Sequence, residues 1–163
     1  MAVLTGLVMF AVRTADAPTP SASSTPSASA GGPVTVTPPP SGPATATAVC
    51  RTLLGSLPTT LDGRPSRPVS AAPDRVVAWG EPPVVLRCGV PPVTVPPDTN
   101  KQFQINGVRW YAQTRGKYVV FTTTDRTVPV EVAVPANTAA NPADVVATLS
   151  GPVGKTVPVA PSR

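Results

Sequence analysis

Cys50 and Cys88 are the only cysteines of the 163-residue chain, and the chain contains no histidine. Cysteine pairs that carry out redox chemistry normally form a Cys-x-x-Cys motif, which this spacing does not give. A zinc site needs four ligands, and without histidine that set cannot be completed convincingly. We therefore predict a structural disulfide, an extracytoplasmic location, and neither a metal nor a cofactor.

Other catalytic arrangements are equally hard to find. A Ser-His-Asp triad is excluded without histidine, and no lysine stands near a serine in a recognisable motif. No glycine-rich phosphate loop is present. A pair of catalytic carboxylates, as in glycoside hydrolases, would have to come from acidic residues most of which are predicted to lie in turns or helix caps. These residues are Asp62, Asp74, Glu81, Asp98, Asp125, Glu131 and Asp144. We therefore predict that the protein is not an enzyme. The alternative is an enzyme of unrecognised type that acts through Glu81, Arg87 or Arg126.

Aromatic and polar residues offer a candidate binding surface. Gln104, Arg109, Tyr111 and Tyr118 fall on one predicted face of a β-meander, and these residue types suit recognition of a saccharide or a peptide. The alternative is an ordinary solvated sheet face. Trp79 precedes a Gly-Glu-Pro-Pro turn and is a further candidate, as an exposed ligand platform. Its alternative role is a core tryptophan that closes the turn.

The charge of the chain does not indicate a nucleic-acid partner. Lysine and arginine number 13 against 8 acidic residues, giving a net charge of +5. The basic residues are scattered, and aromatic residues are few, whereas nucleic-acid binders concentrate charge and interleave aromatics. Arg126 with Glu131 is expected to form a structural ion pair.

Composition divides the chain into three parts. Residues 1–13 are apolar up to Arg13, too short to span a bilayer, and suggest part of a signal or membrane anchor. Residues 14–47 are rich in Pro, Ser, Thr and Ala and predict a disordered linker, because they have almost no large apolar side chains to bury. Residues 48–163 should form the folded domain. Contact with a membrane is expected only through the N-terminal segment.

The first elements of the folded part are short. Apolar residues at helical spacing predict a helix around residues 47–57, which Pro58 ends. A loop follows over 61–74, and then two strands at 76–79 and 84–89.

A four-stranded antiparallel meander begins at Gln102. Asn106-Gly107 between alternating strands is a strong hairpin signal. Further two-residue loops at Arg115-Gly116 and Thr124-Asp125 would pair Ala112 with Val119 and Phe121 with Val128. All three registers place the same apolar residues on one face, namely Phe103, Ile105, Val108, Trp110, Ala112, Val119, Phe121, Val128, Val130, Val132 and Val134.

Proline signals complete the predicted fold. Pro129 cannot donate to a ladder, so the last strand should be an edge or bulged strand. Asn141 and Pro142 start a second helix, which Gly151-Pro152 ends. The predicted fold class is α+β: two short helices cover the apolar face of an antiparallel meander, and one disulfide cross-links the domain.

Three stretches together resemble the actinobacterial domain-of-unknown-function family DUF3515. They read AWGEPPVVLRCGV, INGVRW and FTTTDRTVPVEVAVP, and the cysteine in a leucine-rich helix before Leu57-Pro58 agrees with them. The resemblance covers roughly residues 49–158. It implies a secreted or membrane-anchored envelope protein and no known activity, and it supplies no catalytic residues.

These observations favour an extracytoplasmic, non-catalytic binding or interaction module of the cell envelope. Its partner would be an envelope protein or polymer rather than a nucleic acid.

Overall fold

A computed structural model describes residues 32–138 and 140–161 and has the predicted α+β architecture. The helices are α1 (Ala44–Ser56) and α2 (Pro142–Thr156). The strands are β1 (Thr60–Leu61), β2 (Arg64–Arg67), β3 (Val76–Trp79), β4 (Val84–Cys88), β5 (Gln102–Ile105), β6 (Val108–Arg115), β7 (Tyr118–Thr123) and β8 (Val130–Pro135). They form one eight-stranded sheet in the order β1-β2-β3-β4-β8-β7-β6-β5, with every pair antiparallel. The predicted apolar segment 1–13 and linker residues 14–31 lie outside the described residues.

The meander β5–β8 is present, and its first hairpin has the predicted register. Asn106 and Gly107 have φ values of 49° and 77°, so both have the left-handed conformation that a two-residue hairpin loop requires. The second loop is Gly116-Lys117, which pairs Ala112 with Phe121 instead of Val119. The third connection is longer than predicted and pairs Phe121 with Val132. Both differences move the partner by an even number of residues, so the predicted faces are preserved.

The prediction of an edge position for the last strand is wrong. β8 lies inside the sheet, between β4 and β7. Pro129 stands just before β8, and its carbonyl oxygen accepts hydrogen bonds from the backbone N–H groups of Gly89 and Val90, at 2.9 and 3.3 Å. Because the proline precedes the ladder, its missing N–H removes no bond from it, and a central strand is allowed.

The predicted loop over 61–74 contains a hairpin. β1 and β2 pair around Asp62 and Gly63, whose φ values of 49° and 71° again suit a two-residue loop. The Asp-Gly signal was present in the sequence, but the flanking strands are too short and too polar to show an alternating pattern.

Both helices pack on one face of the sheet, which we call the helix face. Cys50 in α1 and Cys88 in β4 form the predicted disulfide, with Cα atoms 5.6 Å apart. Trp110 in β6 is fully buried, and its indole N–H donates to the Ser150 hydroxyl of α2 at 2.9 Å. Phe103 lies opposite Trp110 in the register of β5 and β6 but is 46% exposed, and the residue opposite Trp110 on β7 is Thr123.

Each helix is longer than predicted at one terminus: α1 at its N-terminus and α2 at its C-terminus. α1 starts at Ala44, directly after Pro43, inside the segment predicted as linker. α2 has the predicted Asn141 cap, whose side chain accepts from the Ala143 N–H, but it continues through Pro152 to Thr156. Val153 in this extra turn is fully buried on the helix face. Burial of this turn offsets the cost of about 3 kcal/mol that a proline inside a helix carries.

The opposite face of the sheet is covered by chain without helix or strand. We call residues 32–43 the N-terminal strap and residues 90–97 the proline loop. The strap forms a bridge between Val34 and Val69, with N–H···O bonds of 2.8 and 2.9 Å to its neighbours, and Pro39 is buried. The described part of the predicted linker is therefore ordered against the domain.

Arginine side chains hold the strap in place. Arg67 donates to the Gly32 carbonyl at 2.9 Å, Arg75 to the Pro40 carbonyl at 2.7 Å, and Arg87 to the Thr37 carbonyl at 3.3 Å. The strap has few large apolar side chains, so burial alone stabilises its contact with the sheet only weakly. These charge-assisted hydrogen bonds stabilise that contact further.

Candidate functional site

A cleft of ≈ 560 Å³ lies on the face opposite the helices, between the N-terminal strap and the proline loop. This volume is within the range of about 300–1,000 Å³ that is usual for small-ligand sites. Its walls are Thr37, Pro38, Pro39 and Pro40 on one side and Val90, Pro91, Pro92, Val93 and Thr94 on the other. Its floor is formed by side chains of the sheet, namely Arg87, Gln113, Arg115, Thr122 and Glu131.

The register of three strands brings the charged floor together. Arg87 of β4 pairs with Glu131 of β8, and Glu131 pairs on its other side with Thr122 of β7. Side chains that are paired across neighbouring strands share a face, so all three point into the cleft. Arg115 reaches from β6 over β7 to the same carboxylate.

Glu131 is bound by both arginines. Its Oε1 accepts from Arg87 Nε at 3.0 Å and also from Arg87 Nη2, while its Oε2 accepts from Arg115 Nη1 at 3.0 Å. The exposed fractions of the side chains are 6% for Glu131, 26% for Arg87 and 50% for Arg115. The carboxylate is thus enclosed, and the more exposed of the two arginines that bind it is Arg115.

Arg115 is also positioned by Gln113, whose Oε1 accepts from Arg115 Nη2 at 2.7 Å. This bond fixes the orientation of the Gln113 amide and turns its NH₂ group away from Arg115. Within residues 32–138 and 140–161, the Gln113 NH₂ group and the Arg115 Nε–H have no hydrogen-bond acceptor. The floor of the cleft therefore has hydrogen-bond donors available to a ligand.

Comparison with known proteins identifies the family. The model of the family described as "Protein of unknown function (DUF3515)" matches residues 1–162. The chain belongs to this family. No curated protein and no solved structure matches the chain.

This DUF3515 chain also lacks two features in its described part. None of the described helices combines the length and the apolar character needed to cross a membrane. No group of three or more histidine, cysteine or acidic side chains within residues 32–138 and 140–161 could hold a metal ion.

The structure separates the residues predicted to form a binding surface. Arg109 and Gln104 are exposed, near the β5 edge of the sheet. Tyr111 is only 6% exposed. Tyr118 is half-buried and lies beside Val34–Thr37 of the strap, at a second cavity of ≈ 210 Å³. The strap and the proline loop thus cover part of the face that the sequence predicted to be wet.

Trp79 has the alternative, structural role that the sequence allowed. It is fully buried on the helix face, and its indole N–H donates to the Pro58 carbonyl oxygen at 2.9 Å. It is therefore not an exposed platform for a ligand.

The residues of the alternative enzymatic hypothesis are not brought together. Glu81 lies in the β3–β4 turn, is 76% exposed and contacts Arg67. Arg126 is buried, 3.3 Å from Asp125, and donates to backbone carbonyls at 2.8 and 3.3 Å. Only Arg87 belongs to the cleft.

The predicted ion pair between Arg126 and Glu131 is also wrong. Glu131 pairs with Arg87 and Arg115 instead, because β8 lies beside β4. No local signal predicted this neighbour, since Pro129 favoured an edge position for the strand. Arg115 was identified in the sequence only as a residue of the predicted Arg115-Gly116 loop.

Proposed function

We propose that this member of the DUF3515 family is a non-catalytic, extracytoplasmic binding module of the cell envelope, and that the cleft between strap and proline loop is its ligand site. The observation that carries the proposal is the pairing of Glu131 with two arginines beside free donors on Arg115 and Gln113. Such a site has groups that hold a ligand and no group that is free to transform it.

The chemistry of the floor supports the non-catalytic part of the proposal. A general base must have a lone pair that is available to the substrate proton. Both oxygens of Glu131 instead accept hydrogen bonds from the guanidinium groups of Arg87 and Arg115, so the carboxylate is already engaged. Thr122 has no histidine or lysine beside it among the residues that form the cleft, so nothing activates its hydroxyl as a nucleophile.

The proposed location rests on the disulfide and on the order of segments along the chain. Disulfides persist in oxidising compartments and are rare in the reducing cytosol. Apolar residues near the N-terminus precede a stretch rich in Pro, Ser, Thr and Ala, as in a domain that is held outside a membrane on a tether. The partner would then be an envelope protein or polymer, with no role for nucleic acid.

Co-sedimentation of the full chain with an insoluble envelope fraction tests binding. Arg115→Gln should abolish co-sedimentation, because it removes the exposed charge of the cleft. Arg109→Gln is the matched control, since Arg109 and Arg115 lie on the same strand and face and only Arg115 contacts the cleft. If Arg109→Gln abolishes binding and Arg115→Gln does not, the exposed end of the meander is the site instead.

The same incubation tests the enzymatic alternative. We expect no soluble product to be released from the envelope fraction. Release that is lost in Glu131→Gln or in Glu81→Gln would overturn the non-catalytic proposal.

A further inference from the structure

We propose that the cleft binds the carboxylate group of an extended peptide, with Arg115 and Gln113 as the groups that recognise it. This inference rests on the proposed function and specifies its ligand. Three features of the cleft support this ligand: the hydrogen-bonding character of its floor and walls, the net charge of its floor, and the accessibility of each charged side chain.

The floor supplies donors. A guanidinium has five N–H groups, and Arg115 uses one on Glu131 and one on Gln113, so the others remain available. Gln113 also lines the floor, and its NH₂ group adds further donors, since its Oε1 is the atom that accepts from Arg115 Nη2 at 2.7 Å. Planar donors of this kind match the two oxygens of a carboxylate, which accepts hydrogen bonds and donates none.

The charge of the floor has the sign that an anion requires. Arg87 and Arg115 contribute two positive charges against the single negative charge of Glu131. Glu131 is only 6% exposed, whereas Arg115 is 50% exposed, so an incoming anion meets the guanidinium first. The arginine pair compensates the buried acid and still leaves an excess positive charge at the surface.

The walls favour a peptide as the carrier of the carboxylate. Five prolines line the cleft, namely Pro38, Pro39, Pro40, Pro91 and Pro92. A proline has no backbone N–H, so these residues offer apolar rings and no backbone donor. The Pro40 carbonyl already accepts from Arg75, and the other four prolines supply the carbonyl acceptors of the walls. A peptide brings N–H donors for such walls together with a carboxylate for the floor. A sugar acid or a phosphate brings the anion without a regular series of N–H groups.

The test uses the full chain and small probes of defined chemistry. An N-acetylated tri-alanine peptide with a free C-terminal carboxylate is titrated, and the Arg115 Nε–H and Gln113 NH₂ signals are followed by NMR. The same peptide with an amidated C-terminus isolates the contribution of the carboxylate. Galacturonate oligomers and inorganic phosphate test whether the anion alone is sufficient.

We expect the free peptide to shift both signals and to bind about tenfold more tightly than the amidated peptide, the ratio that one charge-assisted hydrogen bond gives. Arg115→Gln should remove this difference, Arg115→Lys should restore part of it, and Arg109→Gln should leave it unchanged. Equal binding of the two peptides, or a preference that survives Arg115→Gln, would overturn the inference. Tighter binding of galacturonate or phosphate would assign the anion site to a different ligand class and overturn it as well.

The outcomes separate this inference from the proposed function. Co-sedimentation that depends on Arg115 without a carboxylate preference would reject the ligand class and keep the binding module. A carboxylate preference without co-sedimentation would reject the envelope role and keep the recognition site.

Discussion

The two faces of the sheet are built from alternate residues of the same strands, but they are covered in different ways. The helix face is closed by α1, α2 and the disulfide over a continuous apolar core. The opposite face is closed by the strap and the proline loop over a floor that includes Thr122 and Glu131, both buried. A helix contributes a stripe of apolar side chains that packs against the sheet, whereas proline-rich chain contributes few such side chains, and a cleft with a charged floor remains beneath it.

This difference assigns stability mainly to the helix face and ligand recognition to the opposite face. Apolar burial gives the helix face most of the folding free energy, because stabilisation scales with apolar area removed from water. The opposite face, which we call the strap face, is held in part by arginine side chains that donate to backbone carbonyls and to Glu131. Polar contacts of this kind contribute less per bond and leave donors available to a ligand.

The largest effect is expected from Trp110→Ala on the helix face. The side chain is fully buried and donates to the Ser150 hydroxyl, so its removal leaves a cavity and takes away one of the two hydrogen bonds of that hydroxyl. We expect a loss of about 3–5 kcal/mol in the free energy of unfolding. Phe103→Ala, also on the helix face but 46% exposed, is the matched control and should cost less than about 1 kcal/mol. Equal costs in urea denaturation would show that the sheet has a different register.

Removal of the disulfide tests how much of the helix face depends on covalent closure. The bond joins residues 38 positions apart. Chain entropy alone predicts a stabilisation of about 4 kcal/mol for a loop of this length. Changing Cys50 and Cys88 together to Ala should lower the melting temperature, and a reducing agent should lower that of the parent but not of the variant. A parent that melts at the same temperature with and without reductant would contradict this expectation.

Glu131→Gln should have a smaller effect, on the strap face. It removes the carboxylate that two arginines share and leaves their charges uncompensated. Loss of one partner from a fully buried ion pair costs about 3–5 kcal/mol, and because both arginines are partly exposed we expect about 2 kcal/mol. Glu81→Gln, which breaks a pair with 76% of the acid exposed, should change the free energy of unfolding by less than about 0.5 kcal/mol. The comparison fails if the two variants are equally stable.

The smallest effect is expected from Arg75→Met, which removes a bond of 2.7 Å to the Pro40 carbonyl of the strap. Global stability should fall by less than about 1 kcal/mol, because the core of the helix face is untouched. Hydrogen exchange at the Val34 and Val36 amides should nevertheless become faster, since local opening of the strap needs less free energy. Arg51→Gln, which breaks only a 3.7 Å surface pair with Asp74, is the control. Unchanged exchange in Arg75→Met would mean that the bond from Arg75 does not help to hold the strap.

Much of the fold was predictable from local signals. Asn106-Gly107 fixed the first hairpin, Asn141 fixed the start of α2, and the alternating pattern assigned the residues of the helix face. The face assignment survived two incorrect loop positions because both changed the register by an even number of residues. The disulfide between Cys50 and Cys88 followed from the cysteine count and the absence of histidine.

The sequence by itself therefore determined the elements whose information is local: turns, caps, alternation and the single possible cysteine pair. Tertiary structure decided the placement of β8 beside β4, the continuation of α2 through Pro152, and the path of the strap. These features depend on contacts between residues far apart in the chain, whose burial outweighs the local preferences of proline. The cleft arises where such contacts meet, so no short stretch of sequence predicted that Arg87, Arg115 and Glu131 would share one site.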